Sequence, residues 1–204
     1  CGFGRIALQS ALSFKYLLAI TVAVDDKVRP SVWMRCRVLN AKLSDVEEFS
    51  KPVLLEKPLE VSSARAEQLV AICAAAGVTL GVVLQHRFKP AAERLTAILQ
   101  AGALGEILNC STSIRLWRPQ YYYDEPGRGT KARDGGGVLM TQGIHTLDLM
   151  LSLAGPVVEV SGYARTSPVH RMETEDLVCA AVRFASGAVG VIDATTAAYP
   201  GGPE

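Results

Sequence analysis

The sequence predicts an α/β chain in two parts: a parallel-sheet domain over residues 1–87, then an α+β domain with a largely antiparallel open sheet over residues 88–204. Three observations carry this. Residues 52–84 alternate strand, helix and strand, the pattern of a parallel sheet with crossover helices. After Arg87 the pattern changes to helices followed by several strands joined by short connections. At the start, a glycine-rich turn leads through a helical stretch into a β-rich run, Leu17–Val24, closed by Asp25-Asp26.

Each element has a local reason. Residues 30–50 show no clear period beyond a weak helix at Leu43–Phe49. Pro52–Leu55 is a short apolar strand ending in Glu56-Lys57-Pro58. Ser62 or Ser63 caps a helix in which Ala64, Ala66, Leu69, Val70, Cys73 and Ala74 recur at helical spacing. Gly77 stands where a left-handed residue ends a helix, and Val78–Leu84 is an apolar, β-branched strand. Pro90–Ala101 reads as a helix stopped by Gly102, and Glu106–Leu116 as a long strand. A loop rich in Tyr, Arg and Gly runs from Arg118 to Gly137, and one helix covers Val138–Leu153. Val157–Arg165, Leu177–Phe184 and Ala188–Thr195 are strands, the last two joined as a hairpin at Ala185-Ser186-Gly187.

Composition narrows the function classes. The chain has 204 residues, 49% hydrophobic, and a formal net charge of +1, which argues against a nucleic-acid binder needing a basic face. No apolar run reaches the ~18 residues of a membrane span. The five cysteines (Cys1, Cys36, Cys73, Cys110, Cys179) are widely spaced, which fits reduced thiols in a cytoplasmic protein. With three histidines and no clustered ligands, no metal is expected.

Three motifs carry chemistry. Gly2-Phe3-Gly4-Arg5-Ile6-Ala7 fits a dinucleotide-binding turn, in which glycines let the backbone approach a pyrophosphate at a helix N-terminus. Asp25 and Asp26 stand about 20 residues on, where a ribose-binding carboxylate belongs. That favours NAD over NADP, although Lys27 and Arg29 keep NADP open. Glu56-Lys57-Pro58 sets a lysine at the carboxyl end of a strand, the edge where such sheets bind ligands. Lys57 could polarise a substrate oxygen there; the competing reading is a solvated lysine in a turn. Finally, Val138, Thr141, His145, Asp148 and Ser152 form a polar stripe on an otherwise apolar helix. His145 suits proton exchange with a substrate hydroxyl, with Asp148 one turn away to orient it; the competing reading is a core histidine tied to Asp148.

In this order the motifs resemble the glucose–fructose oxidoreductase/inositol dehydrogenase (Gfo/Idh/MocA) family. The matching stretches are Val53–Leu59, Gly77–Phe88 ending in His-Arg-Phe, Gly102–Ile107, Gly135–Asp148 and Arg183–Ile192, and the resemblance runs from about Pro52 to the end, some three quarters of the chain. The resemblance implies a Rossmann domain followed by a substrate domain with a large open sheet, whose face forms the interface of a homodimer or homotetramer. It implies hydride transfer between NAD or NADP and a secondary alcohol or ketone of a sugar, sugar derivative or cyclitol. Carried over by residue, Lys57 binds and polarises the reacting oxygen and His145 is the acid/base. Gly2, Gly4, Arg5, Ile6, Asp25, Asp26, Glu56 and Lys57 hold the cofactor, while Thr141, Arg118, Tyr122 and Arg128 face the substrate. Thr141 stands where the family often has Asp, and Thr carries no charge. Residues 30–50 are too few for the family's connection in the cofactor domain, so an incomplete Rossmann half and an incomplete sheet are expected. The alternative function is a non-catalytic sensor of cofactor or sugar with the same fold.

Overall fold

The computed structural model describes residues 34–36 and 52–202. The glycine turn (Gly2, Gly4, Arg5, Ile6), Asp25, Asp26, the Leu17–Val24 strand and the Leu43–Phe49 helix lie outside them. The described residues fall into two compact units, one ending at Val83 and one from Leu84 onward.

The first unit is a three-stranded parallel sheet in the order β1 (Met34–Cys36), β2 (Val53–Glu56), β3 (Leu80–Val83). Between β2 and β3 runs α1, Ser63–Ala75. The Ser62 side chain accepts from Arg65 N and caps its start. Ala66, Leu69 and Cys73 recur at helical spacing on its buried face, and Gly77, at φ 66°, ends it. Val53, Leu55, Leu69, Cys73 and Leu80 close one small core. The parallel sheet and its crossover helix are as expected; β2 lies one residue further along than Pro52–Leu55, and β3 is shorter than Val78–Leu84 at both ends.

The second unit opens with a 3-10 turn, Gln85–Phe88, and α2, Pro90–Gln100. Its sheet has the order β4 (Asn109–Arg115), β7 (Val189–Thr195), β6 (Leu177–Phe184), β5 (Val157–Arg165). Pairs β5–β6 and β6–β7 are antiparallel, but β4 and β7 are parallel. The reason is connection length. Short links reverse the chain between β6 and β7, whereas everything from residue 116 to 188 intervenes between β4 and β7, which leaves room for a crossover.

That insertion carries single helical turns α3 (Gln120–Tyr123), α4 (Lys131–Asp134) and α5 (Val138–Thr141), then α6, Ile144–Ala154. The single helix expected over Val138–Leu153 is therefore two, broken at Gln142-Gly143. A Cβ on Gly143 would stand 3.0 Å from Ile114 Cδ1 and 3.2 Å from Val138 O, so the chain bends where its smallest residue meets the sheet. Apolar residues of α6 (Leu147, Met150, Leu151, Ala154) pack on Ile114, Val178, Val182, Phe184, Ile192 and Ala194 of the sheet's inner face. Among the described residues, no helix is long and apolar enough to cross a membrane.

The glycine run is pinned by main chain. Val138 N donates to Glu175 O at 2.8 Å, and Gly137 N donates to Glu175 Oε1 at 3.0 Å. A Cβ at Gly137 would lie 1.7 Å from Glu175 O, so no other residue fits. Burial pushes the Glu175 carboxyl above its ordinary value, partly offset by backbone N–H donors from Gly137 and Leu139. A carboxyl raised on folding stabilises the fold fully below the unfolded value of 4.5 and loses that contribution as pH rises through the folded value. Glu175→Gln stays neutral and keeps one acceptor. Thermal melts across pH should show the variant gaining on wild type as pH rises above 4.5 and the gain vanishing below it; a pH-independent difference contradicts this linkage.

One ion pair ties the 3-10 turn to α6. Arg87 Nε donates to Asp148 Oδ2 at 2.5 Å and Nη2 donates to Oδ1, with Asp148 2% exposed. Removing only the cation leaves a carboxylate in the core, a loss of about 3 kcal/mol. Arg87→Ala should lower Tm by roughly 6–10 °C, while Arg87→Met with Asp148→Leu should recover most of it. Equal melts for the single and double variants would refute the orphan-charge account.

Candidate functional site

Lys57 belongs to the first unit. It follows β2 at the carboxyl edge of the parallel sheet, partly buried, with Glu56 exposed before it and a cis peptide to Pro58 after it. This is the edge at which parallel sheets bind ligands.

His145 belongs to the second unit. It lies in the first turn of α6, 8% exposed, just after the Gln142-Gly143 break. His86 of the 3-10 turn, equally enclosed, lies against it with ring centroids 5.1 Å apart at 34°. Asp148 does not serve the histidine as its helical spacing suggested. Both its oxygens face the Arg87 guanidinium, because a bidentate arginine satisfies a buried carboxylate better than one imidazole nitrogen can. The expected polar stripe also grades along its length. Val138 and Asp148 are buried, Thr141 is intermediate and Ser152 is exposed.

The other candidates form one network in the same unit. Arg128 Nη1 donates to Tyr122 Oη at 2.7 Å, and its guanidinium carbon stands 4.1 Å from the Tyr122 ring centroid. Arg128 also pairs with Glu125 at 2.6 Å. Burial works against its charge, but Glu125 and Tyr122 outweigh burial and hold the guanidinium above its ordinary value. Arg118 lies 5.5 Å from the same centroid and donates from Nη1 to Trp117 O at 3.1 Å. Gln142 Nε2 donates to Tyr122 Oη at 3.1 Å, and its amide oxygen accepts from Thr141 Oγ1. Thr141 Oγ1 also reaches Gly137 O at 2.7 Å. Thus Arg118, Tyr122, Arg128 and Thr141 come together around one phenol, through a residue, Gln142, that the sequence reading passed over.

The loop's aromatics are mostly packed. Tyr123 is buried with its hydroxyl 2.6 Å from Thr196 Oγ1, and burial drives its phenol up to about 12. Trp117 meets the Tyr199 ring edge-on at 5.6 Å, whereas Tyr121 is 76% exposed. His86, Arg87 and Gln142 were missed by sequence reasoning. His86 and Arg87 sit inside the matched Gly77–Phe88 stretch, and Gln142 lies beside the polar stripe; chain position alone ties none of them to His145 or Tyr122. Among the described residues no group of three or more His, Cys, Asp or Glu is placed to hold a metal.

Residues 92–204 match the model of the GFO/IDH/MocA C-terminal domain. Trans-1,2-dihydrobenzene-1,2-diol dehydrogenase of Mus musculus is 28% identical over 144 residues, 69% of this chain and 40% of that protein. D-apiose dehydrogenase of Paraburkholderia graminis is 30% identical over 145 residues, 71% of this chain and 37% of that protein. The WlbA dehydrogenase of Bordetella pertussis, solved with NADH and UDP-GlcNAcA, superposes with a TM-score of 0.73 at 34% identity. That superposition covers 78% of this chain and 47% of WlbA. The chain thus spans less than half the length of each of these relatives. With more than half of its residues matched by the family model, the chain belongs to the GFO/IDH/MocA family.

Proposed function

We propose that the protein is a nicotinamide-dependent oxidoreductase that transfers hydride between its cofactor and a secondary alcohol or ketone carbon of a sugar-like substrate. The observation that carries this is His145, an enclosed histidine at the start of α6, directly after the glycine run, within the stretch matched by the family model. The dehydrogenase names of the relatives support it, as does the NADH bound to WlbA.

The cofactor half is residues 1–87 and the substrate half residues 88–204. Glu56 and Lys57 stand at the sheet edge a dinucleotide uses, which fits a nicotinamide cofactor there. Gly2, Gly4, Arg5 and Ile6 would cradle its pyrophosphate, and Asp25 or Asp26 would take the ribose hydroxyls, favouring NAD over NADP. When bound, the nicotinamide supplies the two-electron acceptor or donor. In the oxidative direction His145 takes the hydroxyl proton while the Lys57 ammonium stabilises the developing alkoxide. Arg118, Tyr122, Arg128, Thr141 and Gln142 hold the remaining sugar substituents, and two guanidiniums beside one phenol favour an acidic one.

Lys57→Ala and His145→Ala should each lower turnover by about 10²–10⁴-fold, with cofactor binding kept in His145→Ala. Binding is read by energy transfer from Trp33 and Trp117 to NADH. One observation favours a sensor instead: the Thr141 hydroxyl is committed to Gly137 O and Gln142, so no charged group relays protons at that position. NADH binding without turnover of any sugar or cyclitol would establish the sensor reading.

We also propose a homo-oligomer, dimer or tetramer, through the sheet's outer face. Val189 and Val191 on β7 and Tyr163 on β5 are 49–61% exposed there, and ion pairs Arg183–Glu159 and Arg115–Asp193 flank them. Among the described residues no element covers that face. Val191→Arg should shift light-scattering mass to the monomer; an unchanged mass removes this interface.

A further inference from the structure

One buried pair lies outside all of this chemistry. In the connection between β5 and β6, His170 is 5% and Asp176 0% exposed, with His170 Nδ1 2.5 Å from Asp176 Oδ2. Ser167 donates to the same carboxylate from N and from Oγ, each at 2.6 Å. His170 Nε2 stands 2.7 Å from Arg118 O. A carbonyl oxygen only accepts, so Nε2 carries a hydrogen. Nδ1 faces a carboxylate, so a second proton lies between the two groups, on nitrogen or on oxygen. Without it, a lone pair would face a carboxylate in a buried site.

The segment holding this pair lies along the proposed substrate loop in sequence order. His170 meets Arg118; Arg171 N donates to Gln120 Oε1 at 2.8 Å; Glu173 Oε2 accepts from Lys131 N at 3.0 Å. The amides of Glu173 and Thr174 both donate to Gly129 O at 3.0 Å, and Glu175 then holds Gly137 and Val138. His170 is also the ring against which the loop's aromatics pack, with centroids 4.8 Å from Tyr123 and 6.0 Å from Trp117.

We propose that His170, held by Asp176, is the positioning residue of the substrate loop: its bond to Arg118 O sets the main chain from which Arg118 and Tyr122 reach the substrate. It touches no substrate itself, and its role rests on the proposed function of that loop. The pair therefore governs substrate affinity, while His145, on α6, governs the chemical step.

His170→Ala should raise substrate KM about tenfold or more, with kcat within about twofold and NADH affinity unchanged. His170→Gln keeps a donor for Arg118 O and should recover most of the KM. Hydrogen exchange needs no substrate: in His170→Ala the amides of residues 118–137 should exchange faster while those of α6 do not change. If the alanine variant does not fold, Asp176→Asn and His170→Gln carry the same comparison. Unchanged KM and exchange in a folded variant overturn the proposal. So does uniform acceleration across both loop and α6, which would make the pair a general stabiliser. Should the wild type turn over no sugar or cyclitol, the proposed function fails, and the exchange pattern alone decides the positioning role.

Discussion

The architecture of the candidate site depends on one close main-chain approach, that of Gly137 to Glu175. The missing Cβ lets the chain before α5 lie against the end of the β5–β6 connection, with hydrogen bonds on both sides of the contact. Everything downstream inherits that position. Val138 is set into the core, the helix restarts after Gly143, and His145 falls in the first turn of α6. A larger residue at Gly137 would displace the helix start as a whole, because the obstructing atom is backbone and cannot rotate away. The glycine run is thus a steric device for seating a histidine.

Buried charge is then allotted by which partner satisfies it most fully. Asp148 has two oxygens to satisfy and takes the forked guanidinium of Arg87. Asp176 takes two donors from Ser167 and one imidazole. Arg128 divides itself between Glu125 and the Tyr122 phenol. Each is a local solution to the same cost, that of a polar group removed from water without a partner. The proposed catalytic helix is thus fastened through Arg87 and the proposed substrate loop through residues 167–176, with the Gly137–Glu175 contact serving both.

Much of this was legible in the chain. Strand–helix–strand over 52–84 and the β6–β7 hairpin follow from local period, a cap and a glycine, all of which act over a few residues. Lys57 and His145 stood out because their flanks, Pro58 and the glycine run, constrain backbone and so leave a sequence mark. The parallel β4–β7 pair did not show, since strand direction across a long insertion is decided by tertiary closure. Nor did the break at Gly143, where the chain comes close to Ile114, a residue distant in sequence. Arg87–Asp148 spans 61 residues and His170–Arg118 spans 52, so no local period links either pair.

The division of fastenings has a consequence for how such a site can change. His145 is carried by a helix packed into the sheet's apolar core, where substitution is limited by volume. Arg118, Tyr122 and Arg128 are carried by loop and single-turn helices, whose geometry comes from hydrogen bonds to residues 167–176. Exposed and half-buried side chains on that loop, unlike the buried Tyr123, can be exchanged without disturbing the core, provided the main-chain anchors at Arg118, Gly129 and Gly137 persist. The proposed proton chemistry therefore rests on the packed layer and the proposed substrate contacts on the strapped one, with the Gly137–Glu175 contact common to both.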